Sequence, residues 1–317
     1  MFVVKYRKIF YLFSGILVAL SVAAMCVWGF NLGIDFKGGS VLEVAFNATS
    51  TVAGTNASAV PTLEQAKASL AGADVKAIIG DNYSLVPTGN SGFMLRTKDI
   101  TPPQKTTIEN ALSQNGKYDL TEKQFDSIGP VLGQESENKS LISISLVLIA
   151  IVLFIAFAFR KVSHPVSSWV YGLVAVIALV HDVAIPTGVF VVLGHYLGFQ
   201  MDTLFVTALL VILGFSIHDT IVVFDRVREN LRHDHNHKKP FDQVVGESIN
   251  QTFTRSINTS LTVLLSLVVL YFVGSSATKD FVLALLVGIT AGTYSSIFIG
   301  SPLLVTIEKF QNRNKNK

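Results

Sequence analysis

Asp219 and Arg255 are a carboxylate and a guanidinium set inside stretches that are otherwise apolar enough to cross a membrane. A charge at bilayer depth costs about 2.5–3.5 kcal/mol on insertion scales, and more by other measures. Such charges persist where they face a protein interior or a water-filled path, so the chemistry to expect is ion or proton traffic. Asp219 lies seven residues before Arg226, about 10 Å at ~1.5 Å per residue. Arg255 lies about one turn inside the polar end of the next apolar stretch, which runs the other way. Antiparallel packing would bring the two to similar depth, so each is the expected partner of the other. A neighbouring cation favours the ionised carboxylate, and burial favours the neutral acid. A group balanced between them loads and releases a proton when the helices move. The opposing reading is a static buried ion pair that fixes packing, and an arginine near a helix end can also snorkel to the interface.

Asp182 follows His181 near the middle of the third apolar stretch, and Pro186 one turn later frees a backbone carbonyl nearby. A second relay carboxylate and a structural hydrogen-bonding role both fit. His218 precedes Asp219 and points about 100° away from it around the helix, which reads as a neutral, packed histidine. As a titratable neighbour of the key carboxylate it still bears on the ion pathway. His233, His235 and His237 alternate with Asp, Asn and Lys and read as a solvated loop. The histidines and carboxylates form no metal-ligand set, and no Walker spacing occurs. Neither enzymatic activity, a metal nor a cofactor is expected. Gly33-Ile34-Asp35-Phe36-Lys37-Gly38-Gly39 stands where the first apolar stretch ends. Its glycines suit sharp turns and close backbone approach rather than a phosphate loop.

The elements that must position these residues follow from composition. The chain has 317 residues, is 50% hydrophobic and only 15% charged, against about 25% charged for a soluble domain. Long apolar runs alternating with polar sequence mark a polytopic membrane protein. The net charge of +3 sits mostly in short loops and argues against nucleic acid as a partner. A single cysteine, Cys26, precludes a disulfide framework within one chain. A window of about 20 residues draws six spans, near Phe10–Phe30, Leu141–Phe159, Val166–Leu193, Thr203–Phe224, Ser256–Val273 and Phe281–Ile307. Pro186 and Gly188 predict a kink or tilt in the third. The first is too long for a cleavable signal and is expected to remain as an anchor.

Lysines and arginines set the orientation. Lys5, Arg7 and Lys8 precede span one, Arg160 and Lys161 follow span two, Arg226 to Lys239 follow span four, and Lys309 to Lys317 follow span six. Both termini are therefore expected in the cytoplasm. The organisation reads as residues 1–30, a cytoplasmic N-terminus with span one; 31–140, an extracytoplasmic α+β domain; 141–307, spans two to six; and 308–317, a basic cytoplasmic tail.

In the outward segment, Val41–Phe46, Val75–Ile79, Phe93–Thr97 and Tyr118–Ile128 read as strands. Thr62–Leu70 and Pro102–Ser113 read as helices. The order βαββαβ suggests a ferredoxin-like layer of helices on a sheet. The stretch Asn47–Pro61, rich in Ala, Ser and Thr and carrying two Asn-x-Ser/Thr sequons at Asn47 and Asn56, reads as an insertion. Pro240–Phe253 has the spacing of an interfacial amphipathic helix. Gly288, Gly292, Ser295, Ser296 and Gly300 favour close packing in the last span.

Taken together, these residues resemble the SecF family of bacterial protein-export membrane proteins. Gly33–Gly39 matches the family's Gly-Ile-Asp-Phe-x-Gly-Gly motif. Ile128-Gly129-Pro130-Val131-Leu132-Gly133 matches an element before span two, and Asp219–Asn230 matches its signature on span four. His181-Asp182 and Arg255 fall where the family carries a His-Asp pair and an arginine. His218 departs from the family's more frequent Asn. The resemblance implies half of a resistance-nodulation-division (RND) transporter, paired with SecD and associated with the SecYEG channel. It implies use of the proton or sodium gradient to drive late preprotein movement across the bacterial cytoplasmic membrane. Asp219, Arg255, Asp182 and His218 would serve the ion pathway, and Gly33, Asp35, Gly38 and Gly39 the outward domain's entry. Membrane lipid is an implied partner. An RND-type exporter half for small molecules or lipids is the alternative; a scaffold whose charges only lock helices is a third reading.

Overall fold

The computed structural model describes residues 2–47, 60–89, 91–159, 166–233 and 239–315. The chain divides into two units, Met1–Asn31 with Ser140–Lys317, and Leu32–Lys139.

The elements run α1 (Phe2–Lys5), α2 (Arg7–Trp28), α3 (Ile34–Lys37), β1 (Gly39–Phe46), α4 (Leu63–Leu70), α5 (Ala73–Ile79), β2 (Ser84–Thr88), β3 (Gly92–Thr97), α6 (Pro102–Leu112), β4 (Leu120–Ile128) and α7 (Pro130–Ala158). After these come α8 (Ser168–Leu197), α9 (Thr203–His233), α10 (Phe241–Val273), α11 (Ser276–Ser295), a π-helical turn (Ser296–Gly300) and α12 (Ser301–Lys315). Six helical segments among the described residues are long and apolar enough to cross a membrane, the last running Thr278–Arg313 across the π turn.

In the smaller unit the four strands form one antiparallel sheet in the order β2-β3-β1-β4. Strand alternation puts Leu42, Val44, Phe46, Leu85, Phe93 and Leu95 on one face. There they meet Ala66, Leu70, Val75, Ile79, Ile108 and Leu112 of the helices in one core. Thr62 and Gln65 cap α4 reciprocally, at 3.2 and 3.0 Å. Pro102 and Pro103 open α6, where their missing N–H groups are not needed. One expectation fails here: Val75–Ile79 lies in a helix, and the second strand is Ser84–Thr88. Val75 and Ile79 lie four apart, on one helical face, and both enter the core, so their burial satisfies a helix as well as a strand. Pro87 is tolerated because β2 is an edge strand.

In the larger unit the most buried spans are α8, α9 and the last, half or more of whose apolar windows lie inside the unit. Close approach depends on small residues. A Cβ at Gly288 would collide with Ile212, one at Gly292 would lie 3.0 Å from Ser216, and one at Gly188 would collide with Ser21. α8 continues through Pro186. The carbonyl that this proline leaves without an N–H, at the position four before it, is that of Asp182 itself.

Pro240–Phe253 is not a separate interfacial helix. It is the first part of α10, and Phe241, Val245 and Ile249 join the bundle's core with Val174, Leu213 and Phe224. Its apolar stripe meets protein instead of the membrane surface. Arg160, Lys161, Asn56, His235, His237, Lys238 and Lys317 lie outside the described residues.

Candidate functional site

α8, α9 and α11 meet around Asp182, which is fully buried. Its Oδ2 accepts from Ser216 of α9 and, at 2.8 Å, from Ser295 of α11. Its Oδ1 lies 2.8 Å from Nδ1 of His181. One carboxyl thus ties three helices, each supplying a small or ring side chain at the level where the glycines bring the backbones together. The π turn extends the network: Ser296 hydroxyl lies 2.8 Å from that of Thr220 and donates to the Ser216 carbonyl at 3.3 Å. π turns recur at functional sites because they re-aim side chains within an otherwise regular helix.

Asp219 lies one turn beyond Ser216 on α9 and is 4% exposed. Among the described residues its Oδ2 has no hydrogen-bond partner, although it is buried. Ser256 of α10 faces it, and the Ser256 hydroxyl is itself buried and unsatisfied at hydrogen-bond geometry. A buried carboxyl oxygen left open costs about 1–3 kcal/mol or more, so this site holds an unmet demand for a proton, a cation or a donor.

The expected pairing of Asp219 with Arg255 is not formed. Among the described residues no ion pair joins them, and Arg255 is exposed on this chain's surface. The reason is helical geometry: Ser256 takes the inward position, and its neighbour Arg255 is rotated about 100° off that face. Arg255 also does not sit at a helix end, because α10 begins at Phe241 and carries Arg255 near its middle. His218 is exposed as well, so the packed histidine expected there is not found. Asn258, one turn from Arg255, is exposed on the same side of α10. These polar groups on membrane-length helices mark a face that hydrocarbon covers poorly.

The polar end of α9 is tied to α10 by Arg226 Nε donating to Gln251 at 2.6 Å and by Asn230 donating to Ser248 at 2.8 Å. His233 lies 3.9 Å from Glu229 at the end of α9. Among the described residues no group of three or more His, Cys, Asp or Glu side chains is arranged to hold a metal.

The doubled glycine lies in the smaller unit. Gly38 and Gly39 have φ of 76° and 136°, conformations a side chain rarely adopts. A Cβ on Gly38 would come 2.8 Å from Cα of Pro130, and one on Gly133 would come 2.7 Å from the Phe36 carbonyl. Gly39 pairs with Ile128 where β1 meets β4. The two glycine-bearing motifs, far apart in sequence, therefore interlock where β1 starts and α7 begins.

The serines and threonines around the two carboxyls were not singled out as site residues. Ser216 and Thr220 fall one turn apart on the Asp219 helix, a spacing visible in sequence, but hydroxyls carry no solvation signal strong enough to separate them from ordinary helix-packing residues.

The family described as protein export membrane protein SecD/SecF, C-terminal, matches residues 107–310. The SecD/SecF GG motif matches residues 28–49. The chain is 42% identical over 310 residues to protein translocase subunit SecF of Thermobaculum terrenum, covering 96% of this chain and 93% of that protein. To the SecF subunit of Sebaldella termitidis it is 36% identical, over 99% of this chain and 94% of that protein. The crystal structure of SecDF, a translocon-associated membrane protein from Thermus thermophilus, matches with a TM-score of 0.78 at 29% identity. That match covers 96% of this chain, which spans 38% of the longer SecDF chain. Six membrane-length helices, an antiparallel α+β unit between the first two, and matches along nearly the whole length agree: this multi-pass membrane protein belongs to the SecD/SecF family of protein export membrane proteins.

Proposed function

We propose that this chain is the SecF subunit of a SecDF-type accessory complex in the bacterial cytoplasmic membrane, with both termini cytoplasmic. The complex couples a proton or sodium gradient to late steps of preprotein export through SecYEG. The observation that carries this reading is the buried, open Oδ2 of Asp219 at membrane depth. The exposed Arg255, Asn258 and His218 support a second helical bundle, that of SecD, covering the α9/α10 face. The SecDF chain from Thermus thermophilus, of which this chain spans 38%, has the length to supply it. With that partner in place Arg255 can reach Asp219 when helices move, and Asp219 gains or loses its ion as they do. Asp182 and His218 flank this path, and the Leu32–Lys139 unit acts on the outer side. No covalent chemistry is involved.

The energy suffices. One proton moving through roughly 150 mV yields about 3.5 kcal/mol, at ~2.3 kcal/mol per 100 mV. That biases a two-state motion by roughly a few hundredfold. The test is preprotein translocation in vesicles holding this chain, SecD and the channel, with H⁺ and Na⁺ gradients imposed separately. Asp219→Asn and Arg255→Met are expected to abolish gradient stimulation while leaving assembly with SecD intact. Undiminished stimulation in Asp219→Asn would overturn the assignment.

A further inference from the structure

Between α2, α8 and α11 lies a groove of about 520 Å³, walled by Phe13, Leu17, Ile185, Thr290, Tyr294 and the ring of His181. His181 is 6% exposed, and its ring lies near-parallel to that of Tyr294 with centroids 6.4 Å apart. Its Nδ1 is committed to Asp182 at 2.8 Å, while Nε2 is buried without a hydrogen-bond partner among the described residues. The Asp182 carboxyl spends Oδ2 on two hydroxyl donors, Ser216 and Ser295. Oδ1 is then the acceptor for Nδ1–H, and that tautomer leaves the lone pair on Nε2. A carboxylate that fixes one imidazole nitrogen sets the tautomer and leaves the other nitrogen as an acceptor.

We propose that the His181–Asp182 dyad is a second proton-binding site of the helix bundle, loaded at His181 Nε2 by way of water admitted to the α2/α8/α11 groove. The added proton converts a neutral imidazole beside a carboxylate into an imidazolium–carboxylate pair; it arrives from water and no bond other than N–H is made. Around the dyad α8 supplies Asp182 itself and α11 supplies Tyr294; α9 meets the carboxyl through the Ser216 hydroxyl and carries the buried Asp219 one turn further on, and α2 lines the groove with Phe13 and Leu17. Among the described residues no lysine, arginine or glutamate lines the groove, so Asp182, in direct contact, is the imidazolium's first counter-charge. The groove wall is mostly apolar, and Thr290, Tyr294 and His181 are the side chains on it that could hold an entering water. A role in transport rests on the ion-coupled reading above; the existence of the site does not.

His181 is the only histidine preceded by valine, so ¹³C-carbonyl valine with ¹⁵N-histidine assigns it in the unmutated, lipid-reconstituted SecD complex. Solid-state NMR across about pH 5–9, the range in which histidine ordinarily titrates, is expected to show Nε2 gaining a proton while Nδ1 keeps its own. Asp182→Asn is expected to change which ring nitrogen holds the proton, because the amide can donate to Nδ1 where the carboxylate only accepts. An Nε2 that never changes state, or a proton distribution indifferent to Asp182→Asn, would overturn the site. His181→Gln keeps a donor toward Asp182 but cannot titrate. It is expected to lower gradient-driven translocation about tenfold with ATP-driven translocation retained, whereas full gradient stimulation would remove the dyad from the motor. Because the NMR titration needs no transport, failure of the Asp219 assignment would leave it standing, and the reverse also holds.

Discussion

Asp182 and Asp219 are both buried carboxyls at the heart of membrane-length helices, and they are provided for in opposite ways. Asp182 receives three donors from three elements, and among the described residues the open polar atom of its network is His181 Nε2. Asp219 keeps the open atom on its own carboxyl, with Ser256 facing it but outside hydrogen-bond geometry. A fully hydrogen-bonded buried carboxyl is a fixed point of the packing. An under-satisfied one is a place where the structure gains by admitting an ion or a partner. Burial alone therefore does not distinguish the two carboxyls; the hydrogen-bond partners do.

That contrast can be broken most severely at Asp182. Asp182→Ala strands the Ser216 hydroxyl and His181 Nδ1, each worth about 1–3 kcal/mol when buried and unpaired, and leaves Ser295 only its bond to the Gly292 carbonyl. Thermal unfolding in detergent should therefore show a loss of several degrees, while Asp219→Asn should leave the transition nearly unchanged. Equal destabilisation by the two would erase the distinction. A smaller effect is expected from Gly288→Val, which forces a side chain onto Ile212 and separates α11 from α9. Overpacking of that kind costs about 1–3 kcal/mol, and gradient-driven transport should fall along with stability because Ser295 is carried on the same helix.

The smallest effect concerns a carboxyl pair in the α+β unit, where water is close and the demand for partners is weaker. Burial, and then the hydrogen bond with Glu122, raises the pKa of Glu109 above the ordinary glutamate value. The hydrogen bond from Lys105, at 2.5 Å, holds Glu122 below it. A raised carboxylate value gives stability that is present at acid pH and lost as pH rises through the folded-state value; a lowered one gives stability lost on acidification. Relative to wild type, Glu109→Gln should therefore gain stability as pH rises past the ordinary glutamate value, about 4.3, whereas Glu122→Gln should lose it as pH rises toward that value from below. Parallel pH profiles for both variants in a thermal melt would show that the pair does not interact as described.

Membrane architecture was legible in the chain because bilayer hydrocarbon imposes a single strong rule, some 20 apolar residues per span, and all six spans obey it. The strand assigned to Val75–Ile79 was not, because a short apolar run fits either a buried strand or one turn of a buried helix. Only contact with α6 and the sheet distinguishes them. Charges at depth pointed to Asp219, Arg255 and Asp182 for the same reason that the spans were visible: desolvation is expensive enough to leave a mark in composition. Hydroxyls leave no such mark, so Ser216 and Ser256 emerged only with the packing, and Ser295, read from sequence as a small packing residue, showed its bond to Asp182 only there.

The sequence by itself determined that this is a six-span membrane protein with an α+β insertion, and which acidic and basic side chains fall within the membrane-length helices. Those follow from solvation, a property each segment carries alone. Tertiary structure decided which face each charge takes: Asp182 inward with three partners, Asp219 inward with an open oxygen, Arg255 and His218 outward. It also decided that two glycine motifs some 90 residues apart lock together. A rotation of about 100° per residue lets neighbouring positions meet opposite environments, and only the helices packed alongside fix which residue meets which.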